Sequence, residues 1–116
     1  MSEGKPEILL IAPRLLGESL SLQFKAGAPD IVLHLRKSEL SRHPSLVIWS
    51  LDNMEVASTI HVELRKLEEY WQPSPILILL PTKVLLDRDE LLQLGCKGLL
   101  QDPDFKTLKE AISIIK

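Results

Sequence analysis

Short, almost unbroken apolar runs alternate with longer amphipathic ones along the whole chain, and this alternation limits the folds open to it. The runs are residues 8–12 (ILLIA), 31–35 (IVLHL), 46–49 (LVIW) and 76–80 (ILILL), with 98–101 (GLLQ) as a shorter fifth. The first ends at Pro13, and each of the next three follows a proline within two residues. Runs this short and this continuously apolar read as strands buried on both faces, as in a parallel sheet. The segments between them have helical spacing. Residues 15–24 carry Leu16, Leu20 and Phe24 four apart. Residues 54–71 carry Val56, Ile60, Leu64, Leu67 and Trp71 as a three-to-four stripe. Asp52 and Glu55 fit a capping box before that helix, and Arg65 with Glu69 an i,i+4 pair on its wet side. Asp87 and Glu90 fit a second capping box, for a short helix that Gly95 ends. Residues 105–116 place Phe105, Leu108, Ala111, Ile112 and Ile115 on one side, while 38–42 leave room for one helical turn only.

The order is therefore β-α-β-(short α)-β-α-β-α-β-α. Such alternation predicts a parallel sheet with helices on both faces. Five strands in 116 residues suit the flavodoxin-like order 2-1-3-4-5, a three-layer α/β sandwich with a short second helix. Leu, Ile, Val and Phe make up 41 of the 116 residues, which excludes a disordered chain. The length suits one domain, 1–116, and a helical pattern that runs to Lys116 suits the N-terminal module of a longer protein as well as a complete one. A net charge of −2 gives no drive toward nucleic acid. No apolar run approaches the roughly 18 residues that span a bilayer, and MSEGKPEILL lacks a signal-peptide core. The single cysteine, Cys96, excludes a disulfide framework and any multi-cysteine metal site, so the expected setting is the cytoplasm.

Three segments carry a family resemblance over nearly the whole chain. HPSLVIWS (43–50) resembles the third strand of a bacterial response-regulator receiver domain, the CheY-like family, and SPILILLP (74–81) resembles the fourth. GCKGLLQDP (95–103) resembles the glycine-led segment that runs through strand five to a proline. Receivers accept a phosphoryl group on an aspartate at the end of strand three. An acidic pair after strand one holds Mg²⁺, and a Ser/Thr ending strand four and a lysine before the strand-five proline complete the pocket. Phosphoryl transfer needs this set because the metal and cations position the group and neutralise its charge. Under the resemblance, the acidic-pair positions here read Ala12 and Pro13, the acceptor Ser50, the Ser/Thr Leu80 and the lysine Asp102, with Pro103 kept. Leu99 stands for the strand-five aromatic. The chain therefore resembles a pseudo-receiver, as in cyanobacterial and plant signalling proteins, which work by protein contacts or small-ligand binding. The resemblance also implies a cis bond before Pro103.

The remaining polar residues support no second chemistry. Asp52 lies two residues past Ser50 and reads as a helix cap rather than a displaced acceptor. Arg14 and Asp102 are open to two readings, a swapped ion pair or two solvated loop charges. His34, His43 and His61 are too scattered for a metal site, and Cys96 reads as a packing residue. Ser50 lacks a nucleophile elbow, and Gly17 and Gly27 are too isolated for a phosphate loop. No enzyme activity, cofactor or metal is expected.

The expected function is a non-catalytic regulatory module that binds a protein partner, a second copy or a fused output domain. The face of the fourth helix, fifth strand and fifth helix, which receivers commonly use, would carry it. Its expected residues are Val84, Leu85, Leu86, Arg88, Leu99, Asp102, Lys106 and Lys109. The alternatives are an atypical phosphorylated regulator of a phosphorelay and a small α/β ligand-binding protein.

Overall fold

Each apolar run becomes a strand: β1 (Glu7–Ile11), β2 (Val32–His34), β3 (Leu46–Ser50), β4 (Ile76–Leu80) and β5 (Gly98–Gln101). They belong to a computed structural model that describes residues 6–51, 57–80, 88–93, 96–101 and 103–115. The helices are α1 (Arg14–Gly27), α2 (Ala57–Trp71), α3 (Arg88–Gln93) and α4 (Phe105–Ile115). Between β2 and β3 the chain makes a 3-10 turn at Lys37–Glu39, not the α-turn expected over 38–42, so the expected fourth and fifth helices are α3 and α4. Asp52, Glu55, Val84, Leu85, Leu86, Asp87, Gly95, Asp102 and Lys116 lie outside the described residues, and with them the two capping boxes and the bond before Pro103.

All strand pairings are parallel, in the order β2-β1-β3-β4-β5. This is the expected flavodoxin-like arrangement. Side chains alternate across the sheet with period two. Leu9, Val47, Trp49, Ile76, Ile78, Leu80 and Leu99 pack with Leu64 and Trp71 of α2. Ile8, Leu10, Leu46, Ile48, Leu77 and Leu79 pack with Phe24 of α1 and with Leu108 and Ile112 of α4. Burying one such side chain stabilises the fold by about 1.5–3 kcal/mol. β3 and β4 are covered on both faces, as expected, and β1 is buried up to its last residue, the half-buried Ile11. β2 is not: Val32, Leu33 and His34 are only half-buried, because β2 is an edge strand and the segment after it forms no α-helix to cover it.

Local contacts settle the helix ends and their packing. At the start of α4, Asp104 Oδ1 accepts the Thr107 N–H at 2.8 Å, an N-cap. Hydrogen bonds from Thr107 hold the Asp104 carboxyl below its ordinary pKa. Among the described residues on the wet side of α2, the ion pair is Lys66–Glu63 at 3.9 Å rather than Arg65–Glu69. Where α1 meets α4, a Cβ on Gly27 would stand 2.7 Å from the Phe105 ring, so that glycine serves close packing. Cys96 is buried, and burial pushes its thiol up to about 11, far from a reactive thiolate. No described helix is long and apolar enough to cross a membrane.

Candidate functional site

In an open parallel sheet, ligands bind beyond the carboxyl ends of the strands, where the strand order reverses. Here that point lies between β1 and β3, because the chain steps outward to β2 from one side of β1 and to β3 from the other. A cavity of about 190 Å³ opens beside it, lined by Leu16 and Leu20 of α1, Ser50 and Leu51, Leu79 and Leu80, and Pro103. Ser50 pairs in register with Leu79, and Leu80 with Gln101, so the ends of β3 and β4 are side by side. Ser50 is 7% exposed and Leu80 3%, so both are set into the floor rather than offered to solvent. The described lining holds one hydroxyl and no charged side chain.

Of the residues expected at this site, Ser50 and Leu80 come together. Pro13 caps the N-terminus of α1 and is exposed, and Ala12 lines a different, larger cavity. Asp102 lies outside the described residues. Arg14 is 88% exposed and pairs with Glu18 one turn along α1 at 3.3 Å, as a solvated surface charge does. Among the described residues, no group of three His, Cys, Asp or Glu side chains is placed to hold a metal ion.

No protein-family model matches the sequence, and no curated protein matches it. Solved structures do. FixJ-N superposes with a TM-score of 0.71 at 12% identity, over 99% of this chain and 94% of that one. Chemotaxis protein CheY4 of Vibrio cholerae gives 0.68 at 15% identity, over 98% of this chain and 100% of that one. The chain has the receiver fold. Full-length FixJ from B. japonicum gives 0.66 at 18% identity over 95% of this chain, which spans 56% of the length of that protein.

The receiver fold also fixes where the expected contact residues stand, and two of them are displaced. Leu99 is 8% exposed and belongs to the core under α2, because its position on β5 points inward. Lys109 reaches the other way and donates to the Gly27 carbonyl at 2.9 Å, fastening α4 to α1. Lys106 is exposed, and Arg88 opens α3. Val84, Leu85, Leu86 and Asp102 lie outside the described residues. Sequence reasoning missed two exposed apolar side chains on these helices, Leu92 of α3 (44% exposed) and Ile114 of α4 (83%). By helical phase Ile114 stands opposite Phe105 and Lys109, the residues that meet α1. It therefore faces outward, away from the buried Leu108 and Ile112 stripe of α4.

Sequence reasoning also missed a polar cluster at the opposite end of the sheet. Glu7 is 7% exposed at the start of β1. Its carboxylate accepts the Ser41 N–H at 2.9 Å and the Ser41 hydroxyl, and lies 3.5 Å from Arg42 Nε. His34 Nε2 stands 3.2 Å from Glu7 Oε1, an electrostatic contact without hydrogen-bond geometry. The Ser41 hydrogen bonds, and then the nearby His34 and Arg42, hold the Glu7 carboxyl below the usual carboxylate range despite its burial. His34 thus takes a structural place on β2. His43 Nε2 lies 2.7 Å from the Trp71 carbonyl, also a structural contact.

Proposed function

We propose that this domain is a non-catalytic pseudo-receiver: a cytoplasmic signalling module that takes no phosphoryl group on aspartate and acts through protein contacts. On this reading it is not an enzyme and uses no cofactor or metal. One observation carries the proposal. The crevice at the strand ends is floored by Leu79, Leu80 and a recessed Ser50, where a phosphoryl acceptor and a hydroxyl for the phosphate oxygens would have to stand. Phosphoryl transfer depends on positioned charge, and a floor of two leucines and a recessed serine supplies no charge to bind a metal or neutralise the group. The Ala12-Pro13 pair after β1 adds that the sequence offers no carboxylates there.

With phosphorylation absent, the module needs a surface, and the α3–β5–α4 face supplies it. It combines an edge strand, two exposed aliphatic side chains and a charged rim that includes Lys106 and Glu110. An apolar centre inside a polar border suits a modest, specific protein interface. The wild-type chain should self-associate through it. Leu92→Glu with Ile114→Glu should weaken that association by about tenfold or more, read by sedimentation equilibrium. Both side chains are exposed, so the melting temperature should hardly move. Unchanged association in the folded double variant would place the interface elsewhere, first on the wet side of α2 at Glu63, Lys66 and Tyr70.

A further inference from the structure

The connection between β2 and β3 forms only a 3-10 turn, and this leaves part of the sheet without a helix over it. A second cavity, of about 360 Å³, lies there between the turn and the end of α2. That volume falls in the range of small-molecule sites, about 300–1,000 Å³. Its floor and walls are Leu9 and Ile11 of β1, Leu35 and Trp71, and its polar groups are Lys37 and Tyr70. Lys37 Nζ donates to Tyr70 Oη at 3.2 Å and lies 5.0 Å from the centre of the ring. Among the described residues no carboxylate pairs with Lys37. Tyr70 is 61% exposed and Leu35 38%, so the mouth leaves an aromatic ring, an aliphatic side chain and an uncompensated cation in water together.

We infer that this cavity binds a small amphipathic carboxylate, with its apolar body on Leu9, Ile11 and Trp71 and its carboxylate on Lys37. The single lysine sets the charge of the occupant at one. A carboxylate balances it, and its two oxygens can take one N–H from Lys37 and the O–H of Tyr70, whose oxygen already accepts from Lys37. Charge-assisted hydrogen bonds of this kind are roughly twice as strong as neutral ones. A phosphate monoester would bring a second charge with nothing described to meet it. The apolar floor supplies the remaining affinity and excludes free acetate or inorganic phosphate as adequate ligands. A ligand held this way bridges the 35–41 connection to α2. The inference is independent of whether the crevice at the strand ends is silent, because the two cavities share no lining residue.

Octanoate is a suitable probe, followed by amide and indole chemical shifts in labelled protein. Saturable shifts are expected at Leu9, Ile11, Leu35, Lys37 and the Trp71 indole, with Ser50 and Leu80 unmoved. Lys37→Met should weaken octanoate binding by about tenfold, and Tyr70→Phe by about threefold. Both side chains are at the surface, so both variants should fold. 1-Octanol should bind the wild-type chain about tenfold more weakly than octanoate and should not distinguish it from Lys37→Met. Absence of saturable shifts at these residues overturns the inference, as does equal octanoate binding by wild type and the folded Lys37→Met variant. Octyl phosphate binding more tightly than octanoate would also overturn it.

Discussion

Phe24→Ala should remove about 3–5 kcal/mol from the unfolding free energy, the usual cost of emptying a buried aromatic site. Phe24 is 1% exposed and joins α1 to the sheet residues Ile8, Leu10 and Ile48. Its ring also meets Phe105 of α4 edge-on, with centroids 5.2 Å apart and planes at 88°. That geometry adds about 0.5–1.5 kcal/mol beyond area burial. Small domains have only about 5–15 kcal/mol to lose, so the variant should be marginally folded at room temperature. Urea unfolding followed by circular dichroism reads the loss. Phe105→Leu in the same background should recover the pair term as non-additivity, because the two rings touch. A loss under about 1 kcal/mol would mean that α1 is not packed on the sheet as described.

Glu7→Gln should cost about 1.5–3 kcal/mol at neutral pH, the range for hydrogen bonds to a charged group. The variant keeps the size of the side chain and removes its charge, so Ser41 and Arg42 lose a charged partner. The effect should depend on pH in one direction. Because the folded carboxyl titrates below its unfolded value of 4.5, its contribution is fully present above that value. It is lost as pH falls through the lower, folded value. The stability gap between wild type and Glu7→Gln should therefore be wide at pH 7 and narrow progressively as pH falls below 4.5. A gap that stays constant from pH 7 down through the acid range below 4.5 would show that the Glu7 charge is not what Ser41 and Arg42 hold.

The sequence was legible wherever a feature repeats locally. β4 and β5 match their expected limits to the residue, framed by Pro75 and by Gly98. The alternation of runs gave the parallel sheet, and five strands in 116 residues suited the order β2-β1-β3-β4-β5 that it has. The rest depended on contacts between distant residues. The expected turn at 38–42 became a 3-10 turn at 37–39, where Ser41 gives its N–H and hydroxyl to Glu7, 34 positions away. Nothing near EILLI announces that its glutamate will be buried. Lys109 reads as a free surface charge until α1 brings the Gly27 carbonyl to it, 82 positions back along the chain. Leu99 reads as a surface residue until the parallel register with β4 sets Ile78 beside it and turns both toward α2. At the strand ends, the resemblance of 43–50 and 74–81 to receiver strands marked Ser50 and Leu80, and the fold brought both to one cavity with Leu79. The larger cavity over β1 was legible only as the short 38–42 segment, and that Lys37 meets Tyr70 across it, 33 positions away, was not.

The central claim is that the crevice at the strand ends cannot take up a phosphoryl group. The direct measurement is intact mass spectrometry of the chain after incubation with acetyl phosphate and Mg²⁺, with Asp52→Asn treated in parallel. Asp52 is the carboxylate nearest in sequence to Ser50 and so the one candidate acceptor to control for. The account predicts an unchanged mass for both proteins. A gain of one phosphoryl group in the wild-type chain that disappears in Asp52→Asn would contradict it.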